Sequence, residues 1–128
     1  MSIRVLIADD DPMVRRTLSN ALARVGFDVC TSPDGDAALR LAQVAPPDMA
    51  LVDINMPAGG AELVARLKAL YDGTIFVAVL SGDDVEEVRE KCLAAGADDV
   101  FGKPMSPAEL RRRLMAAAPP GKTLPVAS

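Results

Sequence analysis

The sequence contains no histidine and no tryptophan. Without an imidazole it lacks the commonest general base near neutral pH and the commonest zinc ligand, so any metal chemistry must run on carboxylates. Aromatic side chains are few, and Phe27, Tyr71, Phe76 and Phe101 are too scattered to form a base-stacking surface. Positive charge is in deficit, with 14 Lys and Arg against 18 Asp and Glu, a formal charge of -4 and a pI near 4.7. This argues against direct binding of nucleic acid or of an anionic membrane. The two cysteines, Cys30 and Cys92, fall in different expected elements without metal-ligand spacing, and read as reduced, partly buried thiols. The apolar run from Ile3 to Ala8 is too short for a signal-peptide core or a membrane span, so the expected compartment is the reducing cytoplasm.

What remains is a chain of 128 residues, half of them apolar, long enough for one domain that buries roughly two-thirds of its unfolded surface. Short apolar runs alternate five times with helix-period segments, the pattern of a parallel sheet wrapped by helices. Strands are expected at Ile3–Ala8, Phe27–Cys30, Met49–Asp53, Ile75–Leu80 and Asp99–Gly102. Helices fit Met13–Arg24, Gly35–Gln43, Ala61–Ala69, Asp84–Ala95 and Pro107–Ala117. Asp11-Pro12 reads as an N-cap with proline in the first turn, and Ser106-Pro107-Ala108-Glu109 as a capping box. Gly26 and Gly96 read as helix stops. The domain is expected to span 1–118, and 119–128, rich in proline, to be a flexible tail or linker stub.

The centre of this pattern is Met49 to Pro57, an uninterrupted apolar strand that ends in one carboxylate, Asp53, before a loop of Pro57, Gly59 and Gly60. The first strand ends in Asp9, Asp10 and Asp11, the fourth in Ser81-Gly82, and the fifth is followed by Lys103-Pro104. All strand C-termini of an open parallel sheet share one edge, and ligands bind where the strand order reverses. For the order 2-1-3-4-5, Asp9 and Asp10 face Asp53 across one crevice. Clustered carboxylates repel one another unless a cation neutralises them, and oxygen-only ligands favour magnesium. Asp11 is better read as the helix cap. A hydroxyl, an open backbone N–H and an ammonium on the same edge suit a phosphoryl group beside the metal.

In order and approximate spacing, Asp9-Asp10, Asp53, Ser81 and Lys103-Pro104 resemble the receiver domain of bacterial two-component response regulators, over about residues 3 to 118. The resemblance implies a doubly wound (βα)5, flavodoxin-like α/β fold with helices on both faces of a five-stranded parallel sheet. It implies Asp53 as phosphoacceptor, with Ser81 as switch hydroxyl and Lys103 as the pairing lysine. Asp10 becomes a direct ligand of magnesium (manganese as an alternative), Asp9 a second metal-site acid, and Asn55 the donor of a backbone carbonyl. Asn55, Ser81, Gly82 and Lys103 would hold the phosphoryl group. The donor would be a phosphohistidine on a histidine kinase or histidine phosphotransfer protein. The chain would act as a signalling module and not as an enzyme, catalysing only its own phosphorylation and dephosphorylation. A downstream protein or a second copy would bind at the last helix and neighbouring strand, with no direct contact to nucleic acid or membrane.

Three positions depart from that pattern. The loop Ala58-Gly59-Gly60 is one residue short, Val100 stands where an aromatic is usual, and Gly82 replaces a common alanine. Phe101, beside Val100, is expected on the opposite face of the strand. Asn55 and Asp83 occupy the positions that tune phosphoryl loss in the family. Arg111-Arg112-Arg113 points in several directions around a helix and reads as a solvated face. The acids Asp83, Asp84, Glu86 and Glu87 suit a helix N-terminus. Rival readings are a hydrolase with an aspartyl-phosphate intermediate, which lacks an acid two residues beyond Asp53, and a flavin module, which lacks stacking aromatics. A pseudo-receiver adaptor that works by protein binding alone is the remaining alternative.

Overall fold

A computed structural model describes residues 2–82, 86–103 and 105–119; the expectations attached to Asp83, Asp84, Pro104 and the tail from Pro120 lie outside these residues. The chain runs β1 (Arg4–Ala8), α1 (Pro12–Arg24), β2 (Asp28–Ser32), α2 (Gly35–Val44), β3 (Met49–Asp53) and α3 (Gly60–Ala69). It continues through a short 3-10 turn (Leu70–Gly73), β4 (Phe76–Ser81), α4 (Glu86–Ala94), β5 (Asp99–Gly102) and α5 (Pro107–Ala116). All four strand pairings are parallel, in the order β2-β1-β3-β4-β5. This is the doubly wound α/β architecture expected from the alternation of strand and helix signals.

Strand periodicity divides the core in two. Val5 and Ile7 of β1, with Met49 and Leu51 of β3, meet Leu18 and Leu22 of α1 and Leu110 and Leu114 of α5. Leu6, Ala8, Ala50 and Val52, one residue out of phase, meet Ala38 and Ala42 of α2, Leu63 and Leu67 of α3, and Cys92 of α4. The three inner strands are therefore covered on both faces, which is why they read as continuous apolar runs. Phe101 lies in the α1/α5 layer and Val100 against the other, as alternation requires.

Local chemistry sets the helix ends. The Asp11 side chain accepts the Met13 N–H at 2.9 Å and the Ser106 hydroxyl accepts that of Glu109 at 3.1 Å. At the end of α1, Gly26 (φ 109) donates to Ala23 O and Phe27 to Leu22 O, the paired bonds of a Schellman motif. α4 ends in the same pair, Gly96 to Leu93 O and Ala97 to Cys92 O. This motif is why β2 starts at Asp28 and not at Phe27, whose amide is engaged by the helix. β2 also runs on to Ser32, which pairs with Ala8. The 3-10 turn was absent from the sequence reading. Tyr71 and Asp72 there adopt left-handed conformations (φ 53 and 57), while the Tyr71 hydroxyl reaches the carbonyls of Ala42 and Gln43 at 2.9 and 3.0 Å. Lys68 ties the same end together, donating to Gly73 O, Ile75 O and Asp98 at 3.2, 2.8 and 2.9 Å.

Candidate functional site

At the C-terminal edge of the sheet, strand alternation continues past the last apolar residue. Asp9 follows Val5 and Ile7 in phase, Asp53 follows Met49 and Leu51, and Lys103 follows Phe101, so all three belong to the side that faces α1 and α5. β1 and β3 are neighbours at the point where the strand order reverses, and the acids meet there. Asp9 is wholly buried, Asp53 is 5% exposed and Asp10 is open to solvent. Each of these three can offer a carboxylate oxygen within 4.8 Å of the other two.

Lys103 bridges the buried pair, with its Nζ 3.1 Å from Asp9 Oδ2 and 3.4 Å from Asp53 Oδ1. Burial alone would lower the pKa of this ammonium, but the hydrogen bond and charge of Asp9, joined by those of Asp53, outweigh it and raise the value above that of an ordinary lysine. Lys103 is therefore charged at neutral pH. Three carboxylates and one ammonium leave two net negative charges, the complement of one divalent cation. All the donors are oxygen, so the set fits magnesium or manganese better than a softer metal.

Backbone groups fix this arrangement. The free oxygen of Asp9 accepts the Asp11 N–H at 2.9 Å, and the Asp9 carbonyl accepts the Arg15 guanidinium at 2.7 Å. Asp53 Oδ1 accepts the Asn55 N–H at 3.1 Å, which brings the Asn55 peptide to the acid cluster. Ser81 is buried, and its carbonyl accepts the Lys103 N–H at 2.9 Å, so the hydroxyl-bearing strand end and the lysine share one bond. A Cβ at Gly82 would meet no atom within 4 Å, so that turn is open as expected. Asp11 acts as the N-cap of α1 and lies outside the metal-sized group.

Two features escaped the sequence reading. Arg15 supports the acidic loop through its hydrogen bond to Asp9, although a helix position six residues later carries no local signal. Beside Lys103 there is also an apolar groove of about 420 Å³, walled by Met13, Val14 and Leu18 of α1 and by Leu80, Met105 and Leu110. Met13, 74% exposed, was the available clue, because a large apolar side chain in the first turn of α1 has no core to enter. The triple arginine of α5 is solvated as expected at Arg112 and Arg113, which are exposed and make their ion pairs at the surface. Arg113 pairs with Asp99 and Glu109 at 3.1 and 3.2 Å and lies over the Phe101 ring at 5.2 Å, while Arg112 pairs with Glu109.

Comparison with known proteins agrees with this geometry. Residues 5–115 match the family model of the response regulator receiver domain. The chain is 43% identical over 116 residues to the transcriptional regulatory protein PrrA of Mycobacterium tuberculosis, covering 90% of this chain and 49% of that protein. It thus spans about half the length of the curated relatives it matches. Among solved structures, it resembles the chemotaxis response regulator CheY4 of Vibrio cholerae, with 30% identity, a TM-score of 0.85, and coverage of 92% of this chain and 100% of that one. A CheY-like receiver domain protein from Methanospirillum hungatei is similar at 26% identity and a TM-score of 0.87, covering 91% of this chain and 94% of that one. With its parallel β2-β1-β3-β4-β5 sheet and its acids gathered at the strand switch, this chain belongs to the response regulator receiver domain family.

Proposed function

We propose that this chain is a working phosphoacceptor, in which Asp53 takes a phosphoryl group from a phosphohistidine on a histidine kinase or histidine phosphotransfer protein. The observation that carries this reading is the cluster of Asp9, Asp10 and Asp53 with Lys103 held between the two buried acids. Asp53 Oδ attacks phosphorus in line, the P–N bond breaks, and the imidazole leaves with the bonding electrons. Lys103 neutralises charge on the transferring group, and the Asn55 N–H keeps the Asp53 carboxylate oriented for attack.

Asp9, Asp10, Asp53 and the Asn55 carbonyl would hold a magnesium ion. When bound, the ion supplies Lewis-acid neutralisation of the phosphoryl oxygens. The phosphorylated side chain carries roughly -2 charge near neutral pH and extra acceptor oxygens. Ser81, Lys103 and the N–H groups of Asn55 and Gly82 would donate to it, and reaching it biases a rearrangement of β4, α4 and β5. The phosphoryl state then alters binding of a downstream protein or a second copy at α5 and β5. The chain works as a cytoplasmic signalling module and turns over no external substrate.

Intact-protein mass after incubation with magnesium and acetyl phosphate tests this reading. Gain of one phosphoryl group in the parent, its loss on chelation, and its absence from Asp53→Asn are expected. No adduct under these conditions, and no stable complex with beryllofluoride, would instead favour an adaptor that binds partners through its unmodified surface.

A further inference from the structure

We infer that Gly35, on α2 and outside the acid cluster, is a positioning residue for the Asp53 site, an inference that rests on the phosphoacceptor reading above. The loop from Ile54 to Gly59 leaves β3 and is held from two sides. On the inner side the Asn55 N–H donates to Asp53 Oδ1 at 3.1 Å. On the outer side the Gly35 N–H donates to Pro57 O at 2.9 Å.

The contact at Gly35 leaves no space. A Cβ built there would overlap the carbonyl oxygen of Ala58 and lie 2.5 Å from its carbonyl carbon. Those are backbone atoms, so relief requires the loop itself to move and not just a side-chain rotation. The loop has little freedom to do so. Ala58 already sits at φ 56, a region that L-residues with a Cβ rarely enter, and the Gly59 N–H is bonded back to Met56 O at 3.1 Å. Met56, 5% exposed, anchors the middle of the loop in the core. Behind Gly35, α2 is fixed by its Asp34 cap, whose side chain accepts the Ala37 N–H at 2.8 Å.

The compact turn presents the carbonyls of Pro57 and Ala58 to α2, the first as hydrogen-bond acceptor and the second so close that only a residue without a side chain accepts it. Displacing that turn moves Asn55, three residues back from Ala58, whose N–H sets the Asp53 carboxylate and whose carbonyl, in the phosphoacceptor reading, would join the metal site. Gly35 thus acts through Asn55 and touches no substrate.

The test compares the parent, Gly35→Ala, Ala37→Gly and Gly35→Ala/Ala58→Gly. Ala37→Gly loosens the same helix turn without touching the loop. In metal-free protein, Gly35→Ala should shift the Asn55 amide resonance and speed its hydrogen exchange. With magnesium and acetyl phosphate it should slow phosphoryl uptake by about ten- to a hundredfold, the scale of a misplacement near 1 Å. Ala37→Gly should leave both readouts at parent values, and adding Ala58→Gly should restore part of both. An unmoved Asn55 amide with parent-like uptake in Gly35→Ala, or the same losses in Ala37→Gly, overturns the inference.

If Gly35→Ala does not fold, magnesium titration of the parent decides. The Asn55 and Gly35 amides should shift together with one apparent Kd, and movement of Asn55 alone overturns the coupling. A parent that takes up no phosphoryl group sinks the phosphoacceptor reading itself, while the metal-free amide comparison still judges the role of Gly35 separately.

Discussion

Replacing Asp53 by asparagine should stabilise the metal-free protein while removing its response to magnesium. The carboxylates of Asp9 and Asp53 are both nearly buried, with oxygens that approach within 4.8 Å. At an effective dielectric of about 20 their repulsion is about 3.5 kcal/mol, and exposed Asp10 adds about 1 kcal/mol. Against this, the neutral amide loses the attraction of Lys103, whose Nζ lies 3.4 Å from the Asp53 carboxylate, which is about 3–4 kcal/mol after allowance for the part-exposed ammonium. The amide also escapes the desolvation cost of a buried charge, and its carbonyl still accepts the Asn55 N–H.

The balance favours Asp53→Asn by about 2 kcal/mol, or about 5–10 °C in thermal midpoint for a chain of this size. Circular dichroism melts in chelator and in millimolar magnesium measure both quantities. With magnesium at about a hundred times its Kd the parent should gain about 2.7 kcal/mol, and the variant much less. A variant that melts below the parent in chelator, or equal magnesium shifts in both proteins, would refute the electrostatic reasoning.

Two other predictions concern the core and the thiols. Phe101→Ala should cost about 3–5 kcal/mol in urea unfolding, since Phe101 is 1% exposed and also supports Arg113. Val100→Ala, on the opposite face and partly exposed, should cost about 1 kcal/mol; equal costs would contradict the two-layer division of β5. Burial, helped by the charge of Asp28, raises the pKa of Cys30, and burial raises that of Cys92, each from an ordinary value near 9.0. Both thiols should react slowly with alkylating reagents at neutral pH. Their linkage term is fully present below the unfolded value and is lost as pH rises through the folded one, so Cys→Ala variants should flatten the fall in thermal midpoint above about pH 9. An unchanged slope would count against it.

Much of this was legible in the sequence because the sheet is parallel and covered on both faces. Inner strands such as Met49–Val52 become unbroken apolar runs, and strand ends become the first carboxylates after them. The convergence of Asp9, Asp10 and Asp53 then follows from topology alone. What stayed hidden depends on partners distant in the chain. Lys103 bonds to Asp9 across 94 positions, the left-handed turn at Tyr71 is held by carbonyls of α2, and the need for glycine at residue 35 exists only once Ala58 lies against it. Boundaries slipped where a helix cap consumed a residue that looked like strand, as at Phe27.

The placement of Tyr71 has an optical consequence. With no tryptophan in the chain, Tyr71 is the sole side chain that absorbs appreciably near 280 nm, apart from weak phenylalanine bands. It follows the C-terminus of α3, and helices in this fold run back towards the opposite edge of the sheet from Asp53. Its hydroxyl is bound to the last turn of α2, so its emission reports whether those two helix ends remain docked. The native chromophore is therefore a probe of unfolding and a poor witness to chemistry at the acids, so events there need a reporter introduced at the other edge.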